Sequence, residues 1–212
     1  MYAARFAGKS IYRQAVWRQL CGFFNKWIPR DAAILDLGCG YGEFLNAVEC
    51  RRKYGIDFNP DALKFACPDA TVFLQDSSIE WGVPAGSIDV IFTSNFFEHL
   101  PSKQALELTL VQAFRALRCG GRLIAMGPNI RFVPGQYWDY FDHHLPLTDR
   151  SLIEVLEKCG FQIDFGRGRF LPYTMSGQRD YPIWMLRVYL ALPIAWRVFG
   201  KQFLVVASKP QS

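Results

Sequence analysis

Apolar side chains recur at helical spacing near the start of the chain, at Ile11, Ala15, Val16, Leu20, Phe23, Phe24 and Trp27, and Pro29 ends the run. A stripe of that period predicts an amphipathic helix over 10–28. The pattern then changes. Ala33 to Leu37 is a short continuous apolar run ahead of Gly38, which reads as a buried strand. Beyond it the chain predicts a helix over 42–50, a strand over 53–57, a short helix over 59–66 and a strand over 71–75. Ile88 to Thr93 reads as a fourth strand. Leu106, Leu110, Ala113, Phe114 and Leu117 share one face of a further helix, for which Gly120 and Gly121 are the expected stop, with a fifth strand over 122–126. Thr148 is the expected cap of a helix over 149–159 that stops at Gly160, and 161–165 and 203–207 read as the last strands.

Strands that alternate with helices imply an α/β fold, a doubly wound and mostly parallel sheet with helices on both faces. Two segments break the alternation: an aromatic-rich connection over 128–147, and an apolar stretch over 170–200 that reads as a helical insertion before the last strand. The expectation is a single domain over 1–212, with a helical N-terminal cap over 1–30 and these two embellishments. At 212 residues, half of them apolar, the chain can bury a full α/β core and is neither disordered nor a disulfide scaffold.

The net charge of +5 is concentrated at one end. From 165 onward, Arg167, Arg169, Arg179, Arg187, Arg197, Lys201 and Lys209 face a single acid, Asp180. A basic, apolar tail points to an anionic partner such as a membrane surface or a phosphorylated substrate, against the plainer reading of a solvated face. The most apolar stretch carries Arg187, Arg197 and Pro193, and its longest uncharged run, Val188 to Trp196, is half a bilayer span. The expectation for this segment is a packed helix on the acceptor side, with peripheral membrane contact through 182–200 as the alternative and no transmembrane helix. Cys21, Cys39, Cys50, Cys67, Cys119 and Cys159 form neither a Cys-x-x-Cys pair nor a zinc-finger spacing, and basic residues interrupt the N-terminal apolar runs. Both features suggest a cytoplasmic protein with reduced thiols.

The segment Ile34-Leu35-Asp36-Leu37-Gly38-Cys39-Gly40-Tyr41-Gly42-Glu43-Phe44 follows a buried strand and opens a helix. In an open α/β sheet this is where ligands bind, and glycines let them approach the backbone. Asp57 follows at the end of the second strand, placed to accept hydrogen bonds from a ribose diol. A dinucleotide and S-adenosylmethionine both fit. The dinucleotide fingerprint is Gly-x-Gly-x-x-Gly, whereas here the third glycine comes one residue early and Glu43 follows. Asp36 and Glu43 would repel a pyrophosphate but tolerate a sulfonium, which favours S-adenosylmethionine and argues against a nicotinamide-dependent oxidoreductase.

The chain resembles the class I S-adenosylmethionine-dependent methyltransferases from about Ala33 to Gly160. The resemblance rests on the glycine segment, on Gly55-Ile56-Asp57-Phe58-Asn59-Pro60, on Phe73-Leu74-Gln75-Asp76, on Ser87-Ile88-Asp89-Val90-Ile91 and on Arg115-Ala116-Leu117-Arg118-Cys119-Gly120-Gly121-Arg122-Leu123. It implies a seven-stranded sheet with an antiparallel last strand. It also implies cofactor contacts from Asp36, Gly38 and Gly40 at the methionine end, Asp57 with Phe58 at the ribose, Asp76 with Ser77 at the adenine, and Asn95 near the methionine. On the acceptor side lie 128–147 and 170–200.

An alcohol or phenol acceptor needs a base as well as alignment. His143 and His144, in Tyr140-Phe141-Asp142-His143-His144-Leu145, are the candidates, with Asp142 to orient one of them; His99, in a Glu-His-Leu stretch common in the family, reads as structural. No metal is expected, since adjacent side chains rarely converge on one ion. Phe132, Tyr137, Trp138, Tyr140, Phe141, Phe170, Tyr173, Tyr181 and Trp184 are candidate walls of an acceptor pocket, and Tyr2 and Tyr12 a candidate lid. The expected activity is methylation, most plausibly on oxygen, of a small-molecule, glycan or lipid-linked acceptor. Nitrogen or carboxyl methylation, or cofactor binding without turnover, are the alternatives. A nucleic-acid substrate is not expected, because the segment after the fourth strand reads Ser94-Asn95-Phe96-Phe97 and no separate basic module is present.

Overall fold

The computed structural model describes residues 10–173 and 180–211. Its seven strands are β1 (Ala33–Leu37), β2 (Arg52–Asp57), β3 (Ala70–Leu74), β4 (Ile88–Ser94), β5 (Leu117–Pro128), β6 (Gln162–Arg167) and β7 (Gln202–Ser208). They form one sheet in the order β3-β2-β1-β4-β5-β7-β6, with β7 antiparallel to both its neighbours. The order reverses direction at β1, between β2 and β4, and opens a crevice at the carboxyl ends of the strands. This is the seven-stranded sheet with a reversed last strand that the resemblance implies. β1 is buried at every position, which is why its sequence is a continuous apolar run and not an alternation.

Helices α1 (Ser10–Phe24), α2 (Glu43–Ala47), α3 (Ala62–Phe65), α4 (Lys103–Ala116), α5 (Asp149–Lys158), α6 (Ile183–Ala191) and α7 (Pro193–Phe199) flank the sheet. On one face α4 and α5 bury Leu106, Leu110, Leu152 and Leu156. On the other, α1, α6 and α7 bury Leu20, Phe24, Leu190 and Trp196. The insertion before the last strand is helical as expected; Leu192 breaks α6, and Pro193, whose missing N–H costs nothing at a helix start, opens α7. Phe170, an expected pocket wall, is instead fully buried in this second layer, stacked on Phe23 and edge-on to Trp196. Tyr2 of the expected lid lies outside the described residues, and Tyr12 is engaged at its hydroxyl, which accepts a bond from the Tyr181 N–H at 3.2 Å.

Two elements differ from the sequence expectation. α4 does not run to Gly120: it ends at Ala116, and β5 starts at once with Leu117. Ile88 pairs with Leu117 but Val90 pairs with Arg122, so the intervening residues are looped out of the ladder. Gly120, at φ +73°, and Gly121, where a Cβ would lie 2.9 Å from the Arg118 carbonyl, make that excursion possible. The helix end is satisfied from afar by Lys209, whose ammonium donates to the Phe114 and Leu117 carbonyls at 2.9 Å. The expected helix over 42–50 is also shorter, because Val48 turns extended.

α5 begins as expected. The Thr148 hydroxyl accepts from the Ser151 N–H at 3.1 Å, and the Thr148 N–H donates back to the Ser151 hydroxyl at 2.9 Å. Thr148→Ala should cost about 1 kcal/mol of stability in urea unfolding, whereas Thr148→Ser should stay within a few tenths of wild type.

Candidate functional site

The chain leaves β1 through three glycines in the left-handed region, Gly38 (φ +75°), Gly40 (φ +50°) and Gly42 (φ +67°). L side chains rarely adopt this conformation, and at Gly38 a Cβ would collide with the Phe96 ring. The turn is pinned to the tip of β2. Asp57 Oδ2 accepts from the Gly40 N–H at 2.7 Å and Oδ1 from the Asn59 N–H at 2.9 Å. A carboxylate has about four lone-pair sites, so these two bonds orient Asp57 and leave capacity for two hydroxyls. Cys39, between the glycines, turns inward to pack with Leu45 and Ala62.

Asp36 is buried at the end of β1, 4% exposed. Burial, reinforced by the charges of Asp57 and Glu43, holds its carboxyl well above the usual carboxylate range. Glu43 is itself neutralised: the Arg13 guanidinium grips both of its oxygens and Trp17 Nε1 donates to one at 3.1 Å. With Glu43 paired and Asp36 pushed toward its protonated form, the negative character of the loop rests mainly on Asp57. A cationic ligand group relieves that arrangement and a pyrophosphate aggravates it, so the donor set fits S-adenosylmethionine.

The other expected cofactor residues line the same crevice. Phe58 is 78% exposed just beyond β2. Asp76, after β3, accepts from the Ser78 N–H and hydroxyl, both at 2.7 Å. Ser77 differs: its hydroxyl is buried against Thr109 of α4 at 2.9 Å and its carbonyl accepts from Trp81 Nε1, so the hydroxyl is used within the protein. Asn95, after β4, is the one non-glycine with positive φ among the described residues, at +50°. Asn tolerates that region because its short amide bonds locally, and here Nδ2 donates to the Ser94 hydroxyl at 3.2 Å. Phe96, over Gly38, is a site residue that the sequence reading passed over.

A 3-10 turn, Phe97–His99, leads from Asn95 to a second constellation. Glu98 and His143 are buried and His99 is half-buried, and one ligand atom from each lies within 4.8 Å of the others. His99 Nδ1 is 2.8 Å from the Asp142 carbonyl and His143 Nδ1 is 2.9 Å from the Tyr137 carbonyl. Carbonyls only accept, so both Nδ1 atoms carry the proton and each neutral ring keeps its lone pair on Nε2. Burial pushes the Glu98 carboxyl up to about 8, with the Asp142 charge adding to the effect. The trio is the one group of the described residues that could hold an ion, and the two Nδ1–carbonyl bonds are also what orients metal-ligating imidazoles. It is equally suited to passing a proton.

Of the two histidines expected as the base, the structure brings His143 into this group; His144 is exposed, with its backbone N–H donating to the Glu98 carbonyl at 2.8 Å. Asp142, expected to orient His143 or His144, reaches His99: its backbone carbonyl accepts from the His99 Nδ1 and its carboxylate lies 3.8 Å from the same atom. Glu98 and His99 join His143 only through tertiary structure; the sole local signal was two titratable residues directly after a strand end. Tyr137 is buried with Val133 and Tyr173, and the buried Tyr173 hydroxyl has no hydrogen-bond partner among the described residues. Trp138, Phe141, Tyr181 and Trp184 are exposed.

The methyltransferase-domain family matches residues 10–164. A protein of Mycolicibacterium smegmatis named "Probable S-adenosylmethionine-dependent methyltransferase" is 30% identical over 65% of this chain and 54% of its own length. The 2-methyl-6-phytyl-1,4-hydroquinone methyltransferase of Synechocystis is 25% identical over 82% of this chain and 59% of its own. The chain thus spans little more than half the length of these curated relatives. An S-adenosylmethionine-dependent methyltransferase from Archaeoglobus fulgidus superposes with a TM-score of 0.68, covering 96% of this chain and 99% of that one at 20% identity.

Two outcomes check the site. Asp57→Ala should weaken S-adenosylhomocysteine binding in calorimetry about 10- to 100-fold, the worth of bonds to a charged group. For Glu98, the folded-state value near 8 exceeds the ordinary 4.5. The folded protein thus holds a proton that the unfolded chain has lost, and this contribution to stability declines as pH rises from about 4.5 to 8. Urea titrations should show a flatter pH profile over that window in Glu98→Gln than in wild type.

Proposed function

Because this chain belongs to the S-adenosylmethionine-dependent methyltransferase family, we propose that it methylates an oxygen of a small-molecule, glycan or lipid-linked acceptor, with His143 as the base. The observation that carries the reading is the convergence of Glu98, His99 and His143 one turn beyond Asn95. When bound, the cofactor supplies a methyl carbon on a positively charged sulfur, which departs as a neutral thioether.

The protein's part is alignment and proton removal. Gly38, Gly40 and Asp57 hold the turn that faces the cofactor, and Asn95 marks where that side meets the acceptor side. His143, fixed by the Tyr137 carbonyl, accepts the hydroxyl proton on Nε2 as the acceptor oxygen bonds to the methyl carbon. The Glu98 carboxyl, in its ionised form, offsets the imidazolium, and His99 with Asp142 forms the second rank of the network. The Tyr173 hydroxyl supports an acceptor that brings a polar group, since it is buried without a partner among the described residues. A relative named for a phytyl-bearing hydroquinone supports a small molecule with an apolar tail.

The test is release of S-adenosylhomocysteine from a panel of phenols, sugars and prenylated quinols. With a turned-over hydroxyl acceptor, His143→Ala should lower the single-turnover rate about 10²- to 10⁴-fold with cofactor affinity unchanged, and His144→Ala should leave it near wild type. A full rate in His143→Ala would remove the base assignment. Turnover of amines alone would move the reaction to nitrogen, and cofactor binding without turnover of any acceptor would remove the transferase reading.

A further inference from the structure

α6 and α7 are apolar on the side that should be polar. Leu190 and Trp196 are buried, yet Trp184, Ile194 and Phe199 are 65%, 65% and 62% exposed. A surface helix of a globular protein turns a charged face to water. Here the outer face mixes bulky apolar side chains with arginines, and the sequence from Tyr181 to Lys201 holds no Asp or Glu. Scattered surface apolar residues need no explanation, but a run of them on two successive helices does.

Beside this face lies a cavity of about 370 Å³, lined by Arg167, Arg169 and Arg197 with Pro193, Ile194 and Trp196. None of the three arginines pairs with a carboxylate among the described residues. Arg169 stacks on the Phe132 ring, 4.1 Å from its centre, and donates to the Arg197 carbonyl at 2.7 Å, while Arg167 lies over Phe165. The Arg167 and Arg169 guanidinium groups are held by rings and backbone, and with Arg197 they line one half-open cavity, an arrangement that suits a phosphate. Ile194 belongs to both the cavity and the exposed face, so the apolar and cationic features form one surface.

We propose that this surface docks on a bilayer containing anionic phospholipid, with a lipid phosphate in the arginine cavity and the outer side chains of α6 and α7 among the acyl chains. The charge distribution selects this occupant. Lipid phosphates answer arginines that no carboxylate pairs with among the described residues, whereas a second copy would set arginine against arginine. A bilayer interface takes arginine heads at the phosphates and tryptophan at the boundary. Neither helix is long and apolar enough to span a membrane, which matches a surface-lying segment. The surface also adjoins the acceptor side: Arg167 ends β6 at the carboxyl edge of the sheet, and Lys201 donates to Gln136 of the 128–147 connection at 3.1 Å. Docking does not depend on methyl transfer, so the two readings fail separately.

The test is sedimentation of the whole chain with vesicles of pure phosphatidylcholine and with vesicles one-third phosphatidylglycerol, without cofactor. The expected result is binding to the anionic vesicles that weakens with salt. Arg167→Gln and Arg197→Gln should each lower partitioning about fivefold. Ile194→Asp with Phe199→Asp should lower it at least tenfold, with wild-type S-adenosylhomocysteine affinity showing that the variants are folded. Equal binding to both vesicle types, or none to either, would overturn the proposal. So would complete displacement by millimolar inorganic phosphate, which marks a site for a free anion, or a dimer in light scattering that Ile194→Asp dissolves, which marks a self-interface.

Discussion

A single hydrogen bond organises the site. The Gly40 N–H reaches across to Asp57 Oδ2 and ties the turn after β1 to the tip of β2. The bond requires a backbone that stays left-handed at Gly38, Gly40 and Gly42, which only glycine does without strain. It also requires β1 and β2 to end level, which their parallel register provides, with Leu37 beside Ile56. Because the strand order reverses at β1, the pinned turn faces an open crevice and not the flank of a neighbouring crossover. The buried core beneath it, Leu35, Leu37, Ile56 and Ile91 among others, keeps the strand ends level.

Charge divides the carboxyl edge of the sheet into two regions. Around the glycine turn the protein gathers acids: Arg13 pairs with Glu43, burial pushes Asp36 toward its protonated form, and Asp57 is held by backbone N–H groups. Around α6 and α7 it gathers arginines with no acid to answer them. The aromatic connection over 128–147 lies between these regions, joined to the basic one through Phe132 and Gln136 and to the histidines through Tyr137 and Asp142. Ligands of opposite charge are thereby sorted to opposite ends of one face.

Where local periodicity decided the structure, it was legible in the sequence. β1 and the capped start of α5 fall where the apolar run and the Thr148 signal place them. Glycine was misread where its role was tertiary: Gly120 and Gly121 look like a helix stop, but serve a strand excursion that only the pairing of β4 with β5 reveals. The residues expected at the cofactor follow strand ends in chain order, a placement that the sheet reproduces. The histidine group was half legible. His99 and Asp142 are separated by 43 positions, and nothing in either segment announces that the Asp142 carbonyl holds the His99 ring. Phe96 was missed because its partner, Gly38, is defined by an absent side chain.

Cys39 stands inside a turn shaped for an alkylating agent. A thiolate there would compete with the intended acceptor, since sulfur anions are strong nucleophiles. Burial, aided by the charges of Asp36 and Asp57, drives its thiol far above the ordinary range. Its side chain packs away from the crevice, under Gly55, where a Cβ would lie 2.9 Å from its Sγ. Burial, which also pushes the Asp36 carboxyl up, therefore keeps the one sulfur of the turn as a thiol, the weakly nucleophilic form.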